Sequence, residues 1–306
     1  MKTLYLECAM GAAGDMLTAA LLELTGDRQA FIDKMNAIGL PGVTVAAEGS
    51  VKCGITGTHV KVTVDGVEEE AGDAHDHHHE HHDHDHEHHH HDHDHHHEHD
   101  HDHHEEEHVH HHHDHDHGHH HHASVADIEA LINGLDVSDR VKADAKAVYA
   151  LIADAESRVH GRPVTEIHFH EVGTLDAVAD VVGVCLLMEQ LSPDQVIASP
   201  VHTGSGHVHC AHGILPVPAP ATALILEGIP SYGGEIRGEL CTPTGAALLK
   251  HFVSRFGNRP VMAVEAIGCL TDNTVFLPIV KQALEARSAG ASPEGAEQGN
   301  GEGGQS

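Results

Sequence analysis

The feature that most constrains this fold is a 48-residue tract, His75–His122, made almost entirely of histidine, aspartate and glutamate. It holds 31 of the chain's 40 histidines and 15 acidic residues, and only Val109 and Gly118 depart from the pattern. A segment without apolar side chains buries nothing that could offset the entropy of ordering it. We therefore expect the tract to be a disordered loop inserted into a folded unit.

The side chains of the tract are ligands for divalent metals. Neutral imidazole binds nickel, copper, zinc and cobalt, and the flanking carboxylates suit the harder ions. We expect metal binding at tract histidines such as His77, His88, His95, His111 and His120. As a flexible chain the tract spans roughly 40 Å, so it can carry ions across its own domain. Composition does not name the ion, and passive metal buffering is a competing interpretation.

Charge and composition exclude several classes of protein. The formal net charge is −32 with neutral histidines, and only 16 residues are lysine or arginine, which argues against nucleic-acid binding. No apolar run reaches the length of a membrane helix, so we expect no membrane partner. Six scattered cysteines without a CxxC pair predict reduced thiols in a cytoplasmic protein.

The rest of the chain reads as one α/β domain. We divide the sequence into a first part of the domain at 1–70, the disordered insertion at 71–123, the remainder of the domain at 124–286 and a disordered tail at 287–306. Alternating patterns predict strands at 3–7, 43–47, 59–64 and 195–198, and helices from Gly14 to Leu24 and at 138–160, 174–191, 220–226 and 243–256. These predict a sheet with packed helices, whose strand order is left open.

A first candidate site follows residue 166. In Ile167–Glu171, alternation places His168 and His170 on one face of an extended segment. Asp176 and Asp180 then share a face of the next helix. We predict His168, His170 and Asp180 as metal ligands and His168, His170, Glu171 and Asp176 as catalytic groups. The alternative is hydrogen-bonded structural histidines beside a solvated helix face.

A second candidate cluster contains four histidines within 11 residues: His202, His207, His209 and His212. Two glycines between the first two histidines let backbone approach a ligand closely. Such a density of histidine is unusual outside metal or acid–base sites, so we predict these four as further metal ligands. Solvated loop histidines are the alternative.

Two predicted helix starts can hold anions. Free N–H groups at a helix start favour phosphate or carboxylate. The candidate residues are Gly11, Gly14 and Asp15 at the first start, and Thr242, Thr244 and Gly245 at the second. Each signal is weak alone, because GxxGD is short and TPTG is also an ordinary helix cap.

Four stretches together resemble one family, the nickel-insertion proteins (LarC) of nickel-pincer cofactor biosynthesis. They are YLECAMGAAGDM (Tyr5–Met16), HFHEVGTLDAVADVVG (His168–Gly183), GSGHVHCAHGILPVPAPAT (Gly204–Thr222) and ELCTPTGAA (Glu239–Ala247). The resemblance implies delivery of Ni²⁺ to pyridinium-3,5-bisthiocarboxylic acid mononucleotide, through two Ni–S bonds and one Ni–C bond, in a CTP-dependent cyclometallation. It also implies that an apo nickel-pincer enzyme of the lactate-racemase type receives the product.

Two features depart from the family pattern. Glu7 stands where many members have aspartate. The family's full-length protein continues into a C-terminal domain that the resemblance implicates in binding CTP with Mg²⁺ or Mn²⁺, whereas this chain passes into its tail soon after Cys269. The resemblance thus implies the nickel-binding half of the enzyme, inactive by itself, and a partner or frameshift fusion that supplies the other half. We also expect a homo-oligomer. A non-enzymatic nickel store or metallochaperone is the alternative function.

Overall fold

The computed structural model describes residues 1–52, 55–68, 123–169, 171–210, 212–271 and 276–283. The histidine tract, the C-terminal tail and His170 lie outside these ranges. Predictions that fall on them are therefore not located by the structure.

The described part contains seven α-helices: α1 Gly14–Leu22, α2 Arg28–Ala37, α3 Val125–Gly134, α4 Asp139–His160, α5 Leu175–Leu191, α6 Pro220–Ile225 and α7 Pro243–Phe252. Its strands are β1 Lys2–Leu6, β2 Val43–Lys52, β3 Ile55–Val64, β4 Ala123–Ser124, β5 His168–Phe169, β6 Gln195–Ala198, β7 Val201–His202, β8 Gly204–Ser205, β9 His207–Cys210, β10 Gly213–Pro216, β11 Ser231–Tyr232, β12 Gly238–Glu239, β13 Arg255–Phe256, β14 Ala266–Thr271 and β15 Phe276–Ala283. The α/β class predicted from the sequence is confirmed.

A seven-stranded mixed sheet organises the fold, in the order β13-β6-β1-β15-β14-β3-β2. β13, β6 and β1 are parallel, β15 runs antiparallel to both β1 and β14, and β3 is parallel to β14. β2 and β3 form a long antiparallel hairpin at one end of the sheet. The remaining strands make two-stranded ladders.

The core lies in layers against this sheet. α1 and α5 pack on each other, and α1 contacts β3 and β14. α4 covers the far side of α5 and also contacts α6 and α7. α5 is buried almost all round, as expected of a helix that lies between a sheet and a further helix.

Local signals explain most helix boundaries. Ser138 caps α4 by accepting a hydrogen bond from the Val141 N–H, and Gly161 ends it in the left-handed conformation with φ 61°. Thr242 caps α7 through the Gly245 N–H. α7 ends at Phe252 and not at 256, because the next residues leave the helix to pair with β6.

Some elements were missed or misjudged in length. α2 and α3 were not predicted, although Asp27 and Ser124 cap them through side-chain hydrogen bonds. The β2–β3 hairpin is longer than its sequence pattern indicated, because all ten residues of each strand pair across it. Across the described ranges, none of the helices combines the length and apolar character that a membrane crossing requires.

Candidate functional site

Several of the predicted site residues lie where β1 and β6 end. These strands are adjacent and parallel, with Leu6 opposite Ala198, so their carboxyl ends meet at one edge of the sheet. The following loops are tied together, because the Ser199 hydroxyl accepts from the Cys8 N–H at 2.8 Å. In open α/β sheets, ligands bind in the crevice outside the carboxyl ends of parallel strands. We call this region, formed by residues 7–15 and 199–206 and the segments packed on them, the carboxyl edge.

The two predicted anion-binding helix starts lie side by side at the carboxyl edge. The Ala12 N–H donates to the Leu240 carbonyl at 2.9 Å, and the Thr242 N–H donates to the Ala12 carbonyl at 3.1 Å. Gly11 has φ +93°, and a Cβ there would lie 1.8 Å from the Leu240 carbonyl oxygen. A Cβ on Gly245 would lie 2.0 Å from the Ala12 carbonyl oxygen. Both glycines are therefore needed for the start of α1 to meet the start of α7.

Asp180 occupies the start of α1. Ala13, the N-cap residue, makes no side-chain cap. A backbone hydrogen bond from Asp15 reaches the Asp180 carboxylate instead. A Cβ on Gly14 would lie 2.7 Å from the Asp180 Cβ, so this glycine permits the approach. The other carboxylate oxygen, Oδ1, is buried and has no hydrogen-bond partner.

Three carboxylates, Asp15, Asp176 and Asp180, meet here, and we call them the aspartate cluster. Burial raises the pKa of Asp180 well above its usual range, and the charges of Asp15 and Asp176 raise it further. Burial also raises the pKa of Tyr149, which lies close to Asp180 and Asp176. In the described part of the chain, no lysine or arginine forms an ion pair with Asp176 or Asp180. The buried Asp180 therefore needs a proton or a nearby cation to relieve its charge.

The two helix starts consequently differ as anion sites. The first turn of α1 contains Asp15 and already interacts with Asp180. The first turn of α7 has no acidic residue, and the Thr242 hydroxyl lies 2.9 Å from that of Thr244. Because the positive end of a helix dipole favours an uncompensated anion, α7 is the better place for a phosphate.

The strand that follows the histidine tract in the sequence lies beside His168. β4 begins directly after the tract and pairs with β5, with Ser124 opposite His168 and Ala123 opposite Phe169. His168 is exposed, whereas Ile167 and Phe169 are buried. The predicted alternation is thus confirmed for these three residues.

Glu171 belongs to a second group of charged side chains. Burial raises the pKa of Glu156, the nearby His160 and His212 oppose this rise, and Glu171 adds to it. The Nε2 atom of His160 lies 3.4 Å from a Glu156 oxygen, and its ring is centred 5.0 Å from that of His212. Burial, together with the charge of Glu171, raises the pKa of Glu239 to about 7, and its Oε1 atom has no hydrogen-bond partner.

The four histidines of the second predicted cluster are not gathered on one ion. His202 is buried, and its Nδ1 and Nε2 atoms lie 2.7 and 2.9 Å from the carbonyl oxygens of Ala9 and Gly233. Neither nitrogen is free to bind a metal in this arrangement. His207 and His209 are exposed on the same face of β9, and His212 contacts the end of α4.

No three histidine, cysteine, aspartate or glutamate side chains within the described ranges are arranged to hold a metal ion. Glu239 and Tyr232 also lie at the carboxyl edge and were not predicted from the sequence. Glu239 opens the ELCTPTGAA stretch, and Tyr232 is one of only three tyrosines, but neither signal indicates burial or exposure.

The chain matches the family model described as nickel insertion protein over residues 4–276. It is similar to the pyridinium-3,5-bisthiocarboxylic acid mononucleotide nickel insertion proteins of Clostridium acetobutylicum, at 42% identity over 257 residues, and Clostridium kluyveri, at 37% over 272 residues. These alignments cover 84% and 88% of this chain, and 57% of each relative. The chain thus spans little more than half the length of these relatives. No solved structure matches it.

Proposed function

Because this chain belongs to the nickel insertion protein family, we propose that its carboxyl edge binds Ni²⁺ and presents it to pyridinium-3,5-bisthiocarboxylic acid mononucleotide. The observation that carries this proposal is the aspartate cluster. Its buried Asp180 oxygen has no partner, and the pKa of Asp180 is raised by burial and by its two neighbours. A divalent cation would offset the negative charge of Asp176 and Asp180, and carboxylate and imidazole are both ligands for nickel.

In this proposal, nickel passes to the aspartate cluster from the histidine tract. The first residues after the tract pair with the strand that carries His168. Asp176 and Asp180 follow on α5, whose start lies at the carboxyl edge. We propose that tract histidines collect nickel, that His168 and His170 receive it, and that the aspartate cluster holds it for insertion.

The reaction assigns roles to neighbouring groups. Insertion replaces a ring C–H bond with a Ni–C bond: the carbon keeps the electron pair and donates it to nickel, and the proton passes to a base. The candidate bases are His168, His170, Glu171 and Asp176. The mononucleotide phosphate is placed at the α7 start, which has no acidic residue in its first turn.

The nickel site is tested in a chain whose tract, 75–122, is replaced by a glycine–serine linker of the same length, which removes tract-bound metal without changing loop length. We expect calorimetry to find one nickel ion per chain, and Asp180→Asn to abolish that binding. Asp154→Asn, which removes an exposed carboxylate from α4, is the matched control and should bind normally. Nickel binding by the Asp180→Asn variant equal to that of its parent would leave only storage by the tract as a supported function.

CTP and Mg²⁺ or Mn²⁺ are assigned to the part of the relatives that this chain does not span. The triphosphate and its metal need more donors than either helix start provides, and Gly11–Gly14 is not followed by the Lys-Ser/Thr of a P-loop. Calorimetric titration with MgCTP checks this assignment, and saturable micromolar binding by this chain would contradict it.

The proposal has three further parts. We propose that the product is transferred to an apo nickel-pincer enzyme of the lactate-racemase type, that the chain assembles into a homo-oligomer, and that it is located in the cytoplasm.

A further inference from the structure

Tyr232 is an exposed aromatic residue in a chain that has few aromatic residues. The sequence contains three tyrosines, five phenylalanines and no tryptophan. Tyr5 and Tyr149 are buried, at 3% and 2% exposure, whereas Tyr232 is 45% exposed. No other aromatic ring of tyrosine or phenylalanine whose side chain the structure describes is this exposed. Exposing such a ring forgoes burial energy, which a ligand that covers the ring would recover.

One face of the Tyr232 ring packs against the protein. It stacks on the buried His202 ring, with centroids 4.7 Å apart and planes 11° apart. The ring nitrogens of that histidine lie 2.7 and 2.9 Å from the carbonyl oxygens of Ala9 and Gly233, so both of its edges pack against backbone. The Tyr232 carbonyl also accepts from the N–H of Thr203 at 2.9 Å and from its hydroxyl at 3.2 Å. One face of the ring is therefore packed against His202, and the opposite face is the exposed one.

Backbone hydrogen bonds connect this ring to the preferred phosphate position. The Thr203 N–H donates to the Tyr232 carbonyl, and the Thr203 carbonyl accepts from the Leu240 N–H at 3.0 Å. The backbones of Tyr232 and Leu240 each lie about one strand spacing, about 4.8 Å, from that of Thr203. Cys241 follows Leu240, and Thr242 is the N-cap of α7. A ligand with a flat ring at one end and a phosphate at the other can therefore contact both Tyr232 and the start of α7.

We propose that Tyr232 is the stacking platform for the pyridinium ring of the mononucleotide, with the phosphate at the start of α7. This proposal rests on the proposed function, since it specifies how the same substrate is held. Flat heteroaromatic rings stack on tyrosine, and a cationic ring gains an additional attraction to the electron-rich face. The fixed backing by His202 reduces the ordering that binding would otherwise require.

The absence of tryptophan makes the test direct, because the ultraviolet emission of the intact chain comes from its tyrosines. Nicotinic acid mononucleotide, a stable pyridinium mononucleotide, is titrated in without nickel. Its electron-poor ring should quench the exposed Tyr232. By calorimetry, Tyr232→Leu and Tyr232→Thr should bind it about tenfold more weakly or worse, whereas Tyr232→Phe should bind like the wild type. Ribose 5-phosphate, which lacks the ring, should not distinguish these variants.

Three results would overturn the platform: no saturable binding of nicotinic acid mononucleotide up to millimolar concentration, unchanged affinity in both the leucine and threonine variants, or a dependence on Tyr232 for cytidine monophosphate but not for the pyridinium nucleotide. Because the titrations contain no nickel, failure of the proposed nickel site leaves them unaffected. Asp154→Asn, which alters an exposed residue of α4, is the control for these titrations and should bind the analogue like the wild type.

Discussion

Glu239 should make the stability of this protein fall as pH rises. Burial, followed by the charge of Glu171, raises the pKa of this carboxyl from its usual 4.5 to about 7, although a hydrogen bond from the Ala219 backbone opposes the rise. A folded-state pKa above the unfolded value means that the folded protein holds the proton more tightly. The stability is then fully present below pH 4.5 and is lost as pH rises through about 7.

The size of the effect follows from the difference between the two pKa values. At about 1.4 kcal/mol for each pH unit, a rise from 4.5 to about 7 corresponds to about 3 kcal/mol. This figure is an upper estimate, since local relaxation lowers it. Glu239→Gln keeps the shape of the side chain and removes the ionisation. At pH 8, with a chelator present, this variant should be more stable than the wild type by about 1–3 kcal/mol.

The measurement is urea unfolding of both proteins at intervals from pH 4.5 to 8.5, expressed as the difference in unfolding free energy. Other titrating groups, including the tract histidines, are common to both proteins and cancel in the difference. Glu235→Gln, at an exposed position a few residues earlier, is the matched control and should show a flat difference. If the Glu239→Gln difference is equally flat, the carboxyl is not held in the protonated form and the argument from burial fails.

Two further predictions concern Gly14 and His168. Gly14→Ala should destabilise the fold by about 1–3 kcal/mol in urea unfolding, because its Cβ would lie 2.7 Å from that of Asp180. Gly26→Ala, which meets nothing within 4 Å, should change stability by less than about 0.5 kcal/mol, and equal losses at both positions would contradict the packing argument. His168→Ala should abolish nickel insertion in the complete system with CTP while leaving bulk nickel uptake nearly unchanged. Turnover equal to that of a His59→Ala control would make His168 a structural residue.

Local structure could be predicted from the sequence where residues a few positions apart determine the backbone conformation. The apolar stripe of α4 and its Ser138 cap lie within a few residues of one another, and so do the Thr242 cap and Pro243 of α7. The exposure of His168 between buried Ile167 and Phe169 follows from the two-residue repeat of extended chain. Where boundaries were wrong, as at the end of α7, pairing with a distant strand decided them.

The sequence alone determined that a histidine-rich tract interrupts an α/β domain, that two glycine-containing helix starts exist, and that acidic and histidine side chains follow residue 167. Only the tertiary structure decided that both helix starts meet through Leu240, that Asp180 occupies one of them, and that a half-buried Glu239 lies near Glu171. Likewise, only the fold placed both ring nitrogens of His202 against carbonyl oxygens, where they cannot bind a metal, and left the Tyr232 ring exposed. The reason is physical: burial and the juxtaposition of charges depend on contacts between residues far apart in the chain, and no local pattern records them.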